Sequence, residues 1–155
     1  MVSVITGEIN SGKSRRFIQL YKQSDKGIGL FSKKLCHENG QIIGYDLILL
    51  PEEKELRFIT LKDYISETDP DDYLYQGRFA FLKSTFLAGE QYISEQSATG
   101  TVWIDEIGGL EIKGLGYHNL IKKLLKTNRD LVITIRSSLL QAFLMKYSVT
   151  EYEVL

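Results

Sequence analysis

Val2-Ser3-Val4-Ile5-Thr6-Gly7-Glu8-Ile9-Asn10-Ser11-Gly12-Lys13-Ser14 is the stretch on which the reading of the fold turns. Val2 to Thr6 is a short β-branched run and predicts a strand. From Gly12 to Lys22, Phe17, Leu20 and Tyr21 recur at helical spacing. Between them, Gly7 to Ser14 fits the pattern G-x-x-x-x-G-K-[ST] in the strand-loop-helix setting that this pattern requires. Such a loop turns successive backbone N–H groups inward, and the positive end of the following helix points at the same place, so both favour an anion. Gly7, Glu8, Ile9, Asn10, Ser11, Gly12, Lys13 and Ser14 are therefore the expected phosphate-binding residues. Lys13 is expected to reach the β- and γ-phosphates of a nucleoside triphosphate and to stabilise charge on the transferring group, and the Ser14 hydroxyl to ligate Mg²⁺.

A second motif lies about ninety residues on. Thr101-Val102-Trp103-Ile104-Asp105-Glu106 is an apolar strand ending in adjacent carboxylates. Alternation along a strand aims such neighbours in different directions, which suits them to different tasks. Asp105 is expected to hold Mg²⁺, and Glu106 to orient and deprotonate the water that attacks the γ-phosphorus. Arg136 follows the β-branched run Leu131 to Ile135, so it stands at a strand tip where a permanent cation can meet the γ-phosphate. Glu111 has two open readings, a support behind this pair or a solvated turn residue. Lys33 and Lys34 sit on an extended segment and are read as coating a solvated face. His37 and His118 have no partner at ligand spacing, so neither is expected to bind metal.

Working outward, Gly27 to Leu61 carries three extended runs separated by His37-Glu38-Asn39-Gly40 and Pro51-Glu52-Glu53-Lys54. Asn-Gly favours a type I′ hairpin, in which both central residues have positive φ. An antiparallel meander is expected over about residues 27–62. Ser66 to Asp72 is acidic, contains a proline and reads as a surface loop. Phe81 to Gln96 reads as an amphipathic helix with Phe86, Leu87 and Ile93 facing the core. Gly116 to Lys126 is a further helix, Ser137 or Ser138 is placed to cap another that runs to Tyr147, and Tyr152 to Leu155 suits an edge strand. Strands alternating with helices imply parallel crossovers. The expected fold class is thus α/β: a three-layer α/β/α P-loop NTPase fold with a mostly parallel central sheet and an appended antiparallel β-meander. In such sheets ligands sit at the carboxyl ends of the strands, where both motifs fall.

Composition narrows the class. The chain has 155 residues, 43% of them apolar, which suits one domain over residues 1–155 with a proper core. With 19 basic against 20 acidic residues the formal net charge is −1, so no overall basic field indicates nucleic acid as a partner. The lone Cys36 has no partner for a disulfide or a CxxC site, is expected to be inert, and suits a reducing compartment. No stretch approaches the roughly 20 apolar residues of a membrane span, and the N-terminus lacks a basic, apolar leader pattern, so a cytoplasmic location is expected.

These motifs resemble the THEP-type, or cancer-related, nucleoside-triphosphatases over most of the chain. Besides the glycine loop, GIGLFSKKLCHENGQIIGYDLILL is similar to that family's G-F-x-[ST]…G-x-x-x-G-[FY]-[DE] segment. Trp103-Ile104-Asp105-Glu106-Ile107-Gly108 through Leu110-Glu111 is similar to its D-E-I-G-x-[LM]-E box. The resemblance implies a P-loop fold with an added central strand and a slow hydrolase of ATP, GTP and other triphosphates with broad base tolerance. It assigns phosphate and Mg²⁺ binding to Gly7 through Ser14, the metal carboxylate to Asp105 and the base to Glu106. Here the loop departs from the family's usual Gly-Pro opening, and the carboxylate of Glu8 opposes phosphate unless it points away. Gly109 also stands where the family often has Lys or Pro. Mg²⁺-dependent hydrolysis is the expected activity; a small-molecule or nucleotide kinase and a nucleotide-binding regulatory module with vestigial hydrolysis are the alternatives.

Overall fold

The computed structural model describes residues 1–24, 27–65, 70–96 and 100–155. Its elements are β1 (Val2–Gly7), α1 (Lys13–Gln23), β2 (Ile28–Cys36), β3 (Ile42–Leu50), β4 (Lys54–Leu61), β5 (Tyr73–Gln76) and β6 (Phe79–Leu82). Then follow α2 (Lys83–Glu95), β7 (Val102–Ile107), α3 (Gly109–Ile112), α4 (His118–Leu124), β8 (Leu131–Arg136), α5 (Ser137–Tyr147) and β9 (Tyr152–Val154). Among the described residues, nine strands form a mixed sheet in the order β5-β6-β4-β3-β2-β7-β8-β1-β9. The run β2-β7-β8-β1-β9 is parallel. The pairs from β2 out to β5 are antiparallel. As expected, β8 is inserted between β1 and β7, the strands that carry the glycine loop and the paired carboxylates.

Helices cover both faces, which is why β7 and β8 read as near-continuous apolar runs rather than alternating ones. On one face, among the described residues, α1 is the helix that packs on the sheet. Phe17 and Tyr21 each meet Trp103 edge-on at 5.6 Å and join Ile5, Ile48, Leu50 and Val132. The other face buries Phe86 and Ile93 of α2, Leu110 of α3, Leu120, Ile121 and Leu124 of α4, and Phe143 and Leu144 of α5 against the sheet. The three-layer α/β/α expectation holds, and the meander continues the sheet instead of standing apart from it.

Several local expectations change. Residues 73–82 form a β-hairpin, and α2 begins at Lys83 rather than Phe81. Pairing with β4 explains the shift: Ile59 and Thr60 align with Phe81 and Ala80, so the hairpin covers an edge that would otherwise expose unpaired N–H and C=O groups. Leu87 is 66% exposed because the buried side of α2 is set by Phe86, Gly89 and Ile93. The turn after β2 is not type I′. Gly40 alone has positive φ, its N–H bonds to the His37 carbonyl, and the register slips at Leu35 and Cys36. Neither Ser137 nor Ser138 caps α5, since β8 passes directly into the helix with Arg136 as N-cap and no side-chain cap bond. Of the expected acidic loop, residues 66–69 lie outside the described residues, and Pro70–Asp72 is a single 3₁₀ turn. Among the described residues, no helix is long and apolar enough to cross a membrane.

Candidate active site

The glycine loop joins the tip of β1 to the start of α1. Asn10 and Gly12 have φ of 61° and 86° while Ser11 between them does not enter the positive range, and this alternation gathers N–H groups into a concave nest. Gly12 is the N-cap of α1, and its left-handed conformation favours glycine. Gly7 answers a different demand: a Cβ there would lie 2.5 Å from Ser11 Oγ, so a side chain would force Ser11 to move. Lys13 Nζ folds over the loop and donates to the Glu8 carbonyl at 2.8 Å.

Ser14 meets the second motif. Its hydroxyl lies 3.2 Å from Asp105 Oδ1 and 3.4 Å from Glu106 Oε1, although 91 and 92 residues separate them in the chain. Asp105 is buried and Glu106 exposed. Their divergence is not simple strand alternation. Glu106 has φ of 64°, and the pairing of β7 with β8 slips between Ile104 and Ile107, so the carboxylates sit on a strained bulge. Thr134 of β8 holds that bulge: its hydroxyl donates to Asp105 Oδ1 at 2.6 Å and accepts the Glu106 N–H at 2.8 Å. The Ser32 N–H donates to Asp105 Oδ2 at 3.3 Å. Burial, and next the charge of Glu106, push the Asp105 carboxyl up to about 7 against the hydrogen bonds from Thr134, Ser14 and Ser32.

The remaining candidates fall around this centre. Arg136 is exposed at the tip of β8, in register with Gly7, and lines one cavity with Lys13, Asp105 and Glu106. The Glu8 carboxylate is turned to Ser137 Oγ, which donates to it, so it is engaged outside the nest. Ser137→Ala frees that carboxylate beside the loop, and the loop's apparent affinity for a phosphate-bearing ligand is expected to fall a few-fold at low salt, with the difference fading as salt screens it. Titrations at two ionic strengths check this. Lys33 pairs with Glu55 at 2.9 Å on a solvated face as expected, but Lys34 Nζ reaches to 3.5 Å from Asn10 Oδ1 and so approaches the loop. His37 and His118 contact Tyr64 and Tyr147 respectively. Cys36 is an exposed free thiol.

Glu111 is a support and not a solvated turn residue. It is 3% exposed and accepts the N–H of Gly108 at 2.9 Å and of Tyr117 at 3.0 Å, which ties down the chain after the carboxylate pair. Burial pushes its carboxyl up to about 7 from an ordinary 4.5, although both N–H groups act to lower it. The folded chain thus holds this proton more tightly than the unfolded chain. Its contribution to stability is full below the unfolded value and shrinks as pH rises through about 7. Glu111→Gln sets an amide NH₂ against one of the two donors and is expected to cost about 1–3 kcal/mol at pH 5. The deficit should narrow by pH 8, because the variant loses the titration. Urea unfolding at both pH values reads it, and an equal deficit at both would show that Glu111 does not titrate in this interval.

The donor set fits Mg²⁺. A hard cation takes oxygen ligands, keeps several waters and is commonly held by one or two protein groups together with phosphate oxygens. Ser14 Oγ and Asp105 Oδ1 supply two adjacent oxygens, and among the described residues no group of three or more His, Cys, Asp or Glu forms a closed metal cage. Sequence reasoning missed Thr134; the one signal for it is a hydroxyl inside the otherwise apolar run Leu131 to Ile135, whose hydroxyl is needed only if that strand lies beside Asp105. Compared with known proteins, residues 3–155 match the model of a family described as NTPase. No curated protein and no solved structure matches the chain.

Proposed function

The chain belongs to the NTPase family of P-loop NTPases, and from that premise we propose that it is a Mg²⁺-dependent hydrolase converting a nucleoside triphosphate such as ATP or GTP to the diphosphate and phosphate, slowly and with broad base tolerance. One observation carries the reading: Ser14 of the loop meets Asp105 and Glu106 of a strand tip more than 90 residues away. The slow rate and base tolerance rest on the family that the sequence motifs resemble.

In this reading residues 1–155 act as one domain. The loop from Gly7 to Ser14 holds the phosphates through its inward amides, with Lys13 turning from the Glu8 carbonyl to the β- and γ-oxygens. Ser14 and Asp105 would hold Mg²⁺, which when bound would offset phosphate charge. Glu106 takes a proton from the attacking water as its oxygen bonds to the γ-phosphorus and the bond to the β,γ-bridging oxygen breaks. Arg136 and Lys13 stabilise charge on the three γ-oxygens. Thr134 keeps both carboxylates in place, so Thr134→Val, which preserves shape, is expected to lower kcat by roughly 10-fold while the fold persists. The lone, exposed thiol of Cys36 suits a reducing compartment, and we place the protein in the cytoplasm.

The test is phosphate release from ATP, GTP, CTP and UTP with and without Mg²⁺. Release from several of the four in the presence of Mg²⁺ only supports the reading. Absence of release from all of them overturns it.

A further inference from the structure

A cavity of about 490 Å³ opens from the catalytic carboxylates toward the antiparallel side of the sheet. That volume is within the usual range for small-molecule sites, roughly 300–1,000 Å³. Its floor is aromatic: Phe58 meets Phe86 edge-on at 4.9 Å, and Tyr45 meets Phe79 at 5.9 Å. Its lining includes the polar Gln76 and Arg78 of the β5–β6 hairpin together with Asn10, Lys13, Asp105, Glu106 and Arg136 of the site described above. Arg78 lies over the Phe79 ring at 5.0 Å, exposed on its other side. Tyr45, Arg78, Glu106 and Arg136 all line this cavity, and burial pushes the Tyr45 phenol up to about 12, with Glu106 adding to the shift and Arg78 and Arg136 opposing it.

The cavity shares Lys13, Asp105, Glu106 and Arg136 with the triphosphate site, whereas Tyr45, Gln76, Arg78 and Phe79 of its lining lie outside the residues assigned to that site. Lys13 and Ser14 belong to the β- and γ-phosphates, and Ser14 faces Asp105 and Glu106, so the terminal phosphate is the end nearest the cavity. Flat aromatic walls suit a planar ring, an amide suits a ring edge, and a guanidinium stacked at the mouth suits a phosphate. Resting on the reading that the loop holds the triphosphate, we propose that this cavity is a second binding site, for a nucleoside monophosphate whose ring packs against Tyr45 and Phe79 and whose phosphate pairs with Arg78.

The probes are AMP, GMP, CMP and TMP, titrated calorimetrically into the full chain both alone and after saturation with Mg²⁺ and adenosine 5′-(β,γ-imido)triphosphate. The proposal expects at least one monophosphate to bind with 1:1 stoichiometry in both titrations, with affinities within about threefold of each other. Arg78→Ala is expected to weaken that binding at least tenfold, near the 1.4 kcal/mol that separates decades of affinity. Ile42→Trp, which narrows the cavity without touching Arg78, is expected to weaken it as well. Thermal melts confirm the fold of each variant. Three results overturn the site: no monophosphate binds in either titration, the imido nucleotide displaces it, or neither variant alters it. If the imido nucleotide itself fails to bind, the hydrolase reading is what fails, and the monophosphate titration of the free chain still decides the cavity.

Discussion

Glu106→Gln is expected to lower phosphate release by about 10²- to 10⁴-fold, the range that a positioned general base contributes, while Mg²⁺–nucleotide affinity stays within about twofold. The geometry explains the separation. The Glu106 side chain is exposed at the mouth of the cavity, and its backbone, not its carboxylate, is what Thr134 holds. Gln keeps the size of the side chain and an oxygen that Ser14 can reach, and it inherits the same φ of 64°, so the bulge and Asp105 stay in place. What it loses is the ability to accept a proton from water. Single-turnover release measured beside equilibrium binding gives the two numbers separately. A Glu106→Gln protein that releases phosphate at the parent rate would remove Glu106 from the chemistry.

Lys13→Ala should fail in the opposite way. Its Nζ already donates to the Glu8 carbonyl within the loop, so a short swing of the chain brings three donors and a full charge to the phosphates. A hydrogen bond to a charged group contributes about 1.5–3 kcal/mol, so affinity for Mg·ATP is expected to fall by roughly 10- to 100-fold. Turnover falls further, because charge gathers on the γ-oxygens as the reaction proceeds. The fold should be unaffected, since Lys13 is half-buried and its hydrogen bond goes to one loop carbonyl. Fluorescent-nucleotide titration and a melting curve check both points; an unchanged Kd would show that the loop does not hold the phosphates through this lysine.

The two motifs were legible because each needs only local order. Gly7, Gly12, Lys13 and Ser14 announce a loop through their spacing, and Val102 to Ile104 announce a buried strand through an unbroken apolar run. Thr134, by contrast, reads as one more β-branched residue until β8 is placed between β1 and β7, and only then does its hydroxyl stand between Asp105 and the Glu106 N–H. The β5–β6 hairpin was hidden for a similar reason. Tyr73-Leu74-Tyr75-Gln76 and Phe79-Ala80-Phe81-Leu82 are short, and Phe81 shares its spacing with the helix that follows. The open edge of β4 decided the matter. Glu111 was ambiguous because a carboxylate near a turn is ordinarily solvated; the two buried N–H groups that it satisfies come from Gly108 and Tyr117, brought together only when α3 and α4 pack on the sheet.

By itself the sequence determined the α/β class, the strand-loop-helix that opens the chain and the residue types offered to phosphate, metal and water, because short-range spacing and side-chain chemistry are written locally. Tertiary structure alone decided that Ser14 meets Asp105, that Glu106 is turned outward on a bulge, that Glu8 is drawn to Ser137, and that an aromatic cavity borders the carboxylates. Each of these is a contact between segments distant in the chain, and contacts of that kind are set by which strands pair and which faces are buried, quantities that no window of neighbouring residues contains.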